Sequence, residues 1–408
     1  MKRPFFSHNQ TVETVACPEV RLLLCCARTR LDSENIARAR TLAQGDLNWG
    51  HLIEMAQRHG MMPLLYTHLK TACSDLVPKD QMERLAELFR GNTARNIFLT
   101  SELLKILDTL GANEIPVIPY KGPALAVQLY KNQRLRRFVD LDILIRKRDM
   151  RRVKDLLVAQ GYQPRLQITQ AQETALFRSE CDQVFTRHDG KVMLEVHWAI
   201  TPPFFSFPFE TELLLERHIE IELAGAKVAA PAPEDLLLIL CVNGTKDMWE
   251  RLELICGVAE LLRDNPELDW QQVMKRASEL SGERMLLLGL FLAHDLLGAL
   301  LPKEVLQKIE ADTVIQSLAT KVRTALFQES TESPGPIKLT LFRLRAKEHL
   351  RDNIRYCLLR AVTPTYRDLV LVRLPASLFP LYYLLRPIRL IGELSLSPFK
   401  RLLYSRKA

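Results

Sequence analysis

Three acidic residues in two predicted β-strands are the side chains in this sequence best suited to metal chemistry. Asp140 and Asp142 lie in segment 138–145, FVDLDILI, and Glu195 lies in segment 193–198, MLEVHW. Because strand side chains alternate between faces, Asp140 and Asp142 share one face, and Glu195 points away from the apolar residues beside it. Three carboxylates from neighbouring strands would supply the hard oxygen ligands that Mg²⁺ prefers, with Mn²⁺ as the alternative ion.

Such a site has a chemical use and also a simpler interpretation. Two bound ions, roughly 3.5 to 4 Å apart, can activate an attacking hydroxyl and stabilise a leaving pyrophosphate. Alternatively, the acids only mark the face of a sheet that meets water, as is common in antiparallel sheets. The residues that precede the acidic pair favour the metal site.

The segment upstream of the acidic strand predicts a turn that can bind phosphate. A short strand at 115–120 and a helical stretch at 124–130 are joined by Lys121, Gly122 and Pro123. Gly122 permits a tight turn, and Pro123 suits the first helical position. Free N–H groups at a helix start favour phosphate, and Lys121 adds a mobile cation. Alone, this would be an ordinary strand-to-helix turn; followed by the acidic pair, it predicts phosphate binding.

These segments resemble the uncharacterised nucleotidyltransferases of the DNA polymerase β superfamily. The resemblance is carried by YKGPALA at 120–126, Arg136, DLDIL at 140–144, Gly161-Tyr162 and LEVHW at 194–198. Similar segments extend over nearly the whole chain, at 48–49, 59–60, 63–66, 233–235, 249–252 and 385–390.

The resemblance implies a fold and an activity. The fold is α/β (α+β), a polymerase β-like core with a mixed sheet, flanked by N-terminal and C-terminal helical regions. The activity is Mg²⁺-dependent transfer of a nucleoside monophosphate from an NTP, with ATP the favoured donor, to a hydroxyl-bearing acceptor with release of pyrophosphate. The acceptor is left open between a protein, an RNA and a small molecule.

The predicted site contains seven residues with distinct roles. The metal-binding catalytic residues are Asp140, Asp142 and Glu195, and Glu195 also helps the acceptor lose its proton. The nucleotide-binding residues are Lys121, Gly122, Arg136 and His197. Arg136 is assigned to the leaving pyrophosphate. His197 has three interpretations: it orients a metal-bound water, contacts phosphate, or only hydrogen-bonds within the sheet. The cations near Arg136 can instead be a solvated helix face.

Several residues depart from the family pattern and motivate an alternative function. Pro123 follows Gly122 where the superfamily usually has Gly-Ser or Gly-Gly. Asn243, Asp247 and Gly257 stand in a region where the family often carries histidines and a later aspartate. The alternative is a non-catalytic nucleotide-sensing or interaction protein on the same fold. Retention of all three carboxylates argues against it.

The chain divides into four predicted regions. Residues 1–100 form an N-terminal helical region, 101–232 the nucleotidyltransferase core, 233–329 a helical domain and 337–408 a basic C-terminal helical region, with a Pro/Gly-rich linker at 330–336. Within the core, a helix is predicted from Thr93 to Leu110. The pair Asp189-Gly190 predicts a hairpin that places Glu195 in an antiparallel pair.

Composition limits the remaining choices. The 408 residues are 47% hydrophobic, enough for more than one core. The eight cysteines show no metal-ligand spacing, which predicts free thiols in a reducing compartment. The N-terminus lacks a secretory pattern, so a cytoplasmic location is expected. The apolar stretch 369–385 is interrupted by Arg373, Pro375 and Pro380, which argues against a transmembrane segment.

The basic C-terminus has two interpretations. Arginines interleave with apolar residues here, and the cations include Arg386, Arg389, Lys400, Arg401, Arg406 and Lys407. Such a stretch can contact an anionic membrane surface or a protein partner. The favoured interpretation is a helix packed on its own domain.

Overall fold

The fold combines one mixed β-sheet with many helices. The computed structural model describes residues 17–166, 169–328, 335–365, 368, 371–372 and 374–390. Within these ranges a five-stranded sheet is preceded and followed along the chain by helices. The predicted α/β class, with a mixed sheet and helical flanks, is confirmed.

Five helices precede the sheet among the described residues from 17 onward. They are α1 (Pro18–Cys26), α2 (Ser33–Ala43), α3 (Trp49–Arg58), α4 (Met62–Ala72) and α5 (Lys79–Ala112). Asp32 and Asn48 begin α2 and α3 by accepting hydrogen bonds from N–H groups of the first turn, a strong helix start signal.

Helix α5 is longer than its sequence pattern predicted. It was expected to start at Thr93, but it begins at Lys79, directly after Pro78, and has 34 residues. Gly91 does not interrupt the helix. It lies at a surface position, where an added Cβ would meet no atom within 4 Å. Leu85 in its first half is buried with the N-terminal helices, whereas Leu99 and Leu103 are buried against the sheet. The helix therefore runs through residue 100, where the boundary of the N-terminal region was predicted.

The sheet has the strand order β1-β2-β5-β4-β3. Its strands are β1 (Val117–Pro119), β2 (Leu141–Ile145), β3 (Tyr162–Pro164), β4 (Asp182–Arg187) and β5 (Met193–His197). Strand β5 runs parallel to β2 and antiparallel to β4, and the other pairs are antiparallel. The predicted hairpin around Asp189-Gly190 is confirmed as the β4–β5 connection. Helices α6 (Gly122–Tyr130), α7 (Met150–Ala159) and α8 (Gln170–Ser179) connect the strands, and α9 (Thr211–Glu216) and a separate hairpin of β6 (Ile219–Leu223) and β7 (Ala226–Ala230) follow β5.

Strand β2 is buried on both faces, which differs from the sequence expectation of one apolar and one acidic face. Leu141 and Ile143 belong to the core that includes the second half of α5, whereas Leu144 belongs to the core shared with the N-terminal and downstream helices. Asp142 is only 3% exposed, on the same face as Leu144. Val139, which alternates with Leu141 and Ile143 in the sequence, precedes the strand and is exposed. The sheet is thus a layer between two cores, and Asp142 is inside the molecule.

Six helices follow the sheet. They are α10 (Pro233–Lys246), α11 (Leu252–Asp264), α12 (Trp270–Glu279), α13 (Glu283–Leu297), α14 (Lys303–Ala311) and α15 (Thr313–Phe327). Between α10 and α11 the chain reverses through Met248 and Trp249, which both have positive φ angles near 55°. Trp249 is fully buried, and Gly244 and Gly289 make room for it: a Cβ at either glycine would come within 2.8 Å of the indole. Burial of this side chain holds the strained turn in place.

The described C-terminal part contains α16 (Pro336–Arg345), α17 (Leu350–Val362), a 3₁₀ turn (Ala376–Leu381) and helical residues 382–390. Most of the predicted linker and the cations at 400, 401, 406 and 407 lie outside the described residues. Among the helices that are described, none has the length and apolar character needed to cross a membrane.

All eight cysteines are free thiols, and six are buried. Burial raises the pKa of the Cys256 thiol to about 12 and also raises the pKa of Cys241. These thiols are therefore protonated and act as small apolar side chains.

Candidate active site

The turn between β1 and α6 depends on a glycine. Gly122 has φ +54°, and a Cβ added there would lie 3.2 Å from the backbone oxygen of Asp140. Lys121 precedes the helix in an extended conformation, and no side chain caps the first turn of α6. The turn therefore packs directly on the residue that begins the acidic segment, as only glycine allows without strain.

Two of the three predicted carboxylates lie opposite each other in the sheet. Strands β2 and β5 pair so that Asp142 faces Glu195 in register, and Leu144 faces His197. Ligand atoms of Asp142, Glu195 and His197 all lie within 4.8 Å of one another. Asp140 lies just before β2, outside this closest group.

Asp142 is the centre of a charged network. Lys121 Nζ donates a hydrogen bond to Asp142 Oδ1 at 2.7 Å, and His197 Nε2 lies 3.1 Å from the same oxygen. His197 Nε2 is also 3.3 Å from Glu195 Oε2. The histidine ring, 4% exposed, therefore bridges the carboxylates of two adjacent strands.

This network fixes the charges of its members. Burial raises the pKa of Asp142, but Lys121 and His197 outweigh that effect and lower the pKa well below its usual range. Burial lowers the pKa of His197, but its hydrogen bonds with Asp142, Cys181 and Glu195 hold it well above its usual value. The pKa of Lys121 is likewise raised by Asp142 against the effect of burial. Asp142 is thus ionised between two cations.

Asp140 has the opposite electrostatic environment. Burial raises the pKa of its carboxyl group, and the negative charges of Asp142 and Glu195 raise it further. Lys121 and Arg136 lower it by smaller amounts. The acidic cluster therefore carries negative charge that the surrounding protein does not fully offset at this residue.

Tyr120 packs between the network and the core. Its ring meets the His197 ring edge-on with centroids 5.2 Å apart, and Lys121 Nζ lies 5.2 Å from the Tyr120 ring centroid. Burial raises the pKa of Tyr120 to about 12, so the ring remains neutral. This residue fixes both His197 and Lys121 by packing, and the sequence reasoning did not assign it a role.

Five of the seven predicted residues line one cavity of about 300 Å³. Lys121, Gly122, Arg136, Asp140 and Asp142 line it, whereas Glu195 and His197 contact Asp142 from the neighbouring strand. The remaining walls come from the end of α3, the end of α10 and the first half of α11. The charged residues on these walls are Arg58, Arg137, Lys246, Asp247, Arg251 and Glu253.

The loop that carries Arg136 is fixed by α5. Asn96 Nδ2 donates to the backbone oxygen of Arg136 at 2.8 Å, and Arg95 donates to the backbone oxygen of Val139 at 2.9 Å. The Arg136 side chain itself makes no hydrogen bond or ion pair with any described residue, and the same holds for Lys246 Nζ. Two cations are therefore positioned at the cavity without a direct ion pair to any described carboxylate.

The opposite wall of the cavity includes residues whose role the sequence did not show. Asn243, Asp247 and Gly257, singled out as departures from the family pattern, all line it. Asn243 is 8% exposed, and its Oδ1 accepts no hydrogen bond from the described residues. The available signal was the spacing of Asn243, Lys246 and Asp247, which puts them on one helical face.

Comparisons with known proteins give one similar solved structure and one matching family. The solved structure of an antigenic nucleotidyltransferase-like protein from Paracoccidioides brasiliensis is similar at 17% identity and a TM-score of 0.30, covering 52% of this chain and 96% of its own. A search of curated proteins found no match. The family described as uncharacterised nucleotidyltransferase matches residues 45–298, more than half of the chain. The chain therefore belongs to the uncharacterised nucleotidyltransferase family.

Proposed function

We propose that this protein is a metal-dependent nucleotidyltransferase that transfers a nucleoside monophosphate from an NTP to a hydroxyl-bearing acceptor and releases pyrophosphate. One observation carries the proposal: Asp140 and Asp142 share a cavity with Arg136 and Lys246, two cations whose side chains make no hydrogen bond or ion pair with a described residue. Carboxylates suit a metal, and unpaired cations suit phosphate oxygens, so one cavity offers both halves of a metal–triphosphate site. ATP is the first donor to test.

The donor set fits a divalent cation. Asp142 and Glu195 bring hard oxygen atoms close together, and the raised pKa of Asp140, caused by burial and then by Asp142 and Glu195, reflects uncompensated negative charge. We assign Asp140, Asp142 and Glu195 as the residues that would hold Mg²⁺, with Mn²⁺ as the alternative. When bound, the ion would activate the acceptor hydroxyl and stabilise charge on the leaving pyrophosphate.

The other residues then have defined tasks. Lys121 and the open first turn of α6, which starts at Gly122, would bind the triphosphate, and Arg136 would neutralise the departing pyrophosphate. Glu195, whose side chain is 26% exposed, would accept the proton of the acceptor hydroxyl. His197 is buried beneath the carboxylates, so we assign it a positioning role in place of the nucleotide contact predicted from the sequence.

A second candidate function rests on the Lys121–Asp142 ion pair. Lys121 and His197 already balance the charge of Asp142 without a metal. A protein that binds NTP in the same cavity and changes its contacts with a partner, without transferring a nucleotide, would also satisfy the structure. This is the nucleotide-sensing alternative.

Pyrophosphate release decides between the two functions. The full-length protein is incubated with each NTP and with Mg²⁺ or Mn²⁺, alone and with cell extract, and labelled NTP shows whether protein, RNA or a small molecule accepts the label. Transfer should fall by about a hundredfold or more in Asp140→Asn, the scale of losing one key electrostatic group. Asp155→Asn, a change on an exposed part of α7, is the matched control and should leave transfer unchanged. Calorimetric NTP binding without release under any condition would favour the sensor.

A further inference from the structure

Exposed apolar side chains are concentrated in the C-terminal part of the described chain. Of the 19 large apolar residues that are exposed among the described residues, 13 lie between Ile337 and Ile388. The other six are spread singly over the preceding 300 residues. Scattered exposed apolar residues are normal for a folded protein, but a contiguous group marks an interaction surface.

Helix α17 shows this most clearly. Leu350, Ile354, Leu358 and Val362 are spaced by four residues and are 73%, 52%, 61% and 39% exposed. This spacing puts them in one row along the helix. The opposite side carries Tyr356, which is fully buried and meets the aromatic rings of the 3₁₀ turn at 203–205. The helix therefore packs through an aromatic and polar side and presents its aliphatic row to solvent, the reverse of an ordinary surface helix.

Two neighbouring segments repeat the arrangement. On α16, Ile337 and Leu341 are 53% and 56% exposed and are also four residues apart. In the last described helix, Leu384 and Ile388 are 65% and 66% exposed, while Tyr382 on another side of the same helix is fully buried. Each helix is thus anchored by one side and leaves an aliphatic side uncovered by any described residue.

The net positive charge of the protein comes from the same region. Residues 335–408 contain 15 Lys and Arg against 4 Asp and Glu, whereas residues 1–334 contain 41 against 44. Arg351 and Arg355 are exposed beside the aliphatic row of α17, and the Arg351 side chain is 79% exposed. Charge of one sign next to an aliphatic row is complementary to an anionic lipid surface, where headgroups meet the arginines and acyl chains meet the leucines.

We propose that α17 is a peripheral docking element for an anionic lipid bilayer, with its aliphatic row inserted at the interface. The proposal does not depend on nucleotidyl transfer. It also differs from the favoured sequence interpretation, in which the basic C-terminal stretch only packs on its own domain: Tyr356 does pack inward, but the aliphatic row of α17 stays exposed.

Vesicle sedimentation tests the proposal directly. The full chain is mixed with vesicles of phosphatidylcholine and phosphatidylglycerol at 3:1, and with phosphatidylcholine alone, at 50 and 300 mM NaCl. We expect binding to the anionic vesicles at low salt, at least tenfold weaker binding to the neutral ones, and a clear loss at high salt, since salt screens exposed charges.

Two sets of substitutions separate the apolar and charged contributions. The triple variant Leu350→Gln, Ile354→Gln and Leu358→Gln should bind anionic vesicles at least tenfold more weakly, while its melting temperature stays unchanged because these side chains are exposed. A variant with Arg351→Gln and Arg355→Gln should bind more weakly and lose part of its salt dependence.

A matched control and three outcomes complete the test. The control replaces three scattered exposed residues, Ile36, Ile97 and Leu213, by glutamine, and should bind like the wild type. The proposal is overturned if the wild type binds neither vesicle type, or if the α17 triple variant binds as tightly as the wild type. It is also overturned if sedimentation velocity shows a dimer that the α17 variant converts to a monomer while vesicles remain unbound.

Discussion

Replacing Asp142 or Asp140 by asparagine should change the thermal stability of the protein in different ways. Asp142→Asn removes a buried charge that faces Lys121 Nζ at 2.7 Å and His197 Nε2 at 3.1 Å. Removing one partner of a buried ion pair costs about 3 to 5 kcal/mol. The asparagine still accepts one hydrogen bond, and the Lys121 side chain is 27% exposed. We therefore expect a smaller loss of about 2 to 3 kcal/mol, at or just below the lower limit of that range.

Asp140→Asn should leave stability unchanged or raise it slightly. Burial and the charges of Asp142 and Glu195 raise the pKa of Asp140, so its ionised form is disfavoured in the fold. A neutral amide removes that repulsion. The raised pKa also determines how stability depends on pH. The Asp140 carboxyl group binds a proton more readily in the folded protein than in the unfolded chain, so its contribution makes the fold less stable at high pH than at low pH.

Scanning calorimetry without divalent metal measures both effects. At about 2 °C per kcal/mol for a large domain, Asp142→Asn should lower the melting temperature by about 4 to 6 °C, and Asp140→Asn should change it by no more than about 2 °C upward. Asp155→Asn serves as the exposed control. Equal shifts for the two site variants, or a more stable Asp142→Asn, would refute the reasoning that Lys121 and His197 compensate Asp142 alone.

Three further predictions concern the turn, a buried histidine and the cavity wall. Gly122→Ala should destabilise the fold by about 1 to 2 kcal/mol in denaturant titration, because it combines a positive φ with a close approach to the Asp140 oxygen. Burial lowers the pKa of His59 to about 4, and its Nδ1 accepts a hydrogen bond from the Leu252 N–H. Below pH 6.5 the unfolded chain therefore binds more protons than the folded protein does. Stability should therefore fall as the pH drops from 6.5 toward 4, by about 2 kcal/mol at pH 5, and melting curves of His59→Gln should show a shallower pH dependence. Asn243→Leu should raise the KM for NTP or acceptor at least fivefold with an unchanged melting temperature, because it removes the Asn243 Oδ1 that has no hydrogen-bond partner in the described protein. An unchanged KM would show that this oxygen does not bind substrate.

The sheet around the carboxylates could be predicted from local pattern. Alternation in 138–145 and 193–198 identified β2 and β5, and Asp189-Gly190 identified the hairpin that orients Glu195. Gly122 was recognised as the residue of a tight turn, for the same conformational reason that the structure shows. These signals are local, because each depends on residues within one strand or turn.

Local sequence patterns could not predict the far wall of the cavity. They also could not predict that the pKa values of Asp140 and Asp142 shift in opposite directions. Lys246 and Arg251 reach the cavity from helices more than 100 residues beyond Asp140, and only the packing of Trp249 places them there. In the sequence, Asp140 and Asp142 are equivalent members of a pair. Lys121 and His197 lower the pKa of Asp142, whereas burial, Asp142 and Glu195 raise the pKa of Asp140, and no spacing rule contains these contacts.

The length of helix α5 decides how this protein can be divided for study. A fragment that starts at residue 101, the predicted edge of the core, would cut a continuous 34-residue helix near its middle. It would lose Arg95 and Asn96, whose side chains hold the backbone of the loop between Arg136 and Val139. Such a fragment would retain every acidic residue of the site and still lack the support that places Arg136, so a recombinant catalytic unit should begin before Lys79.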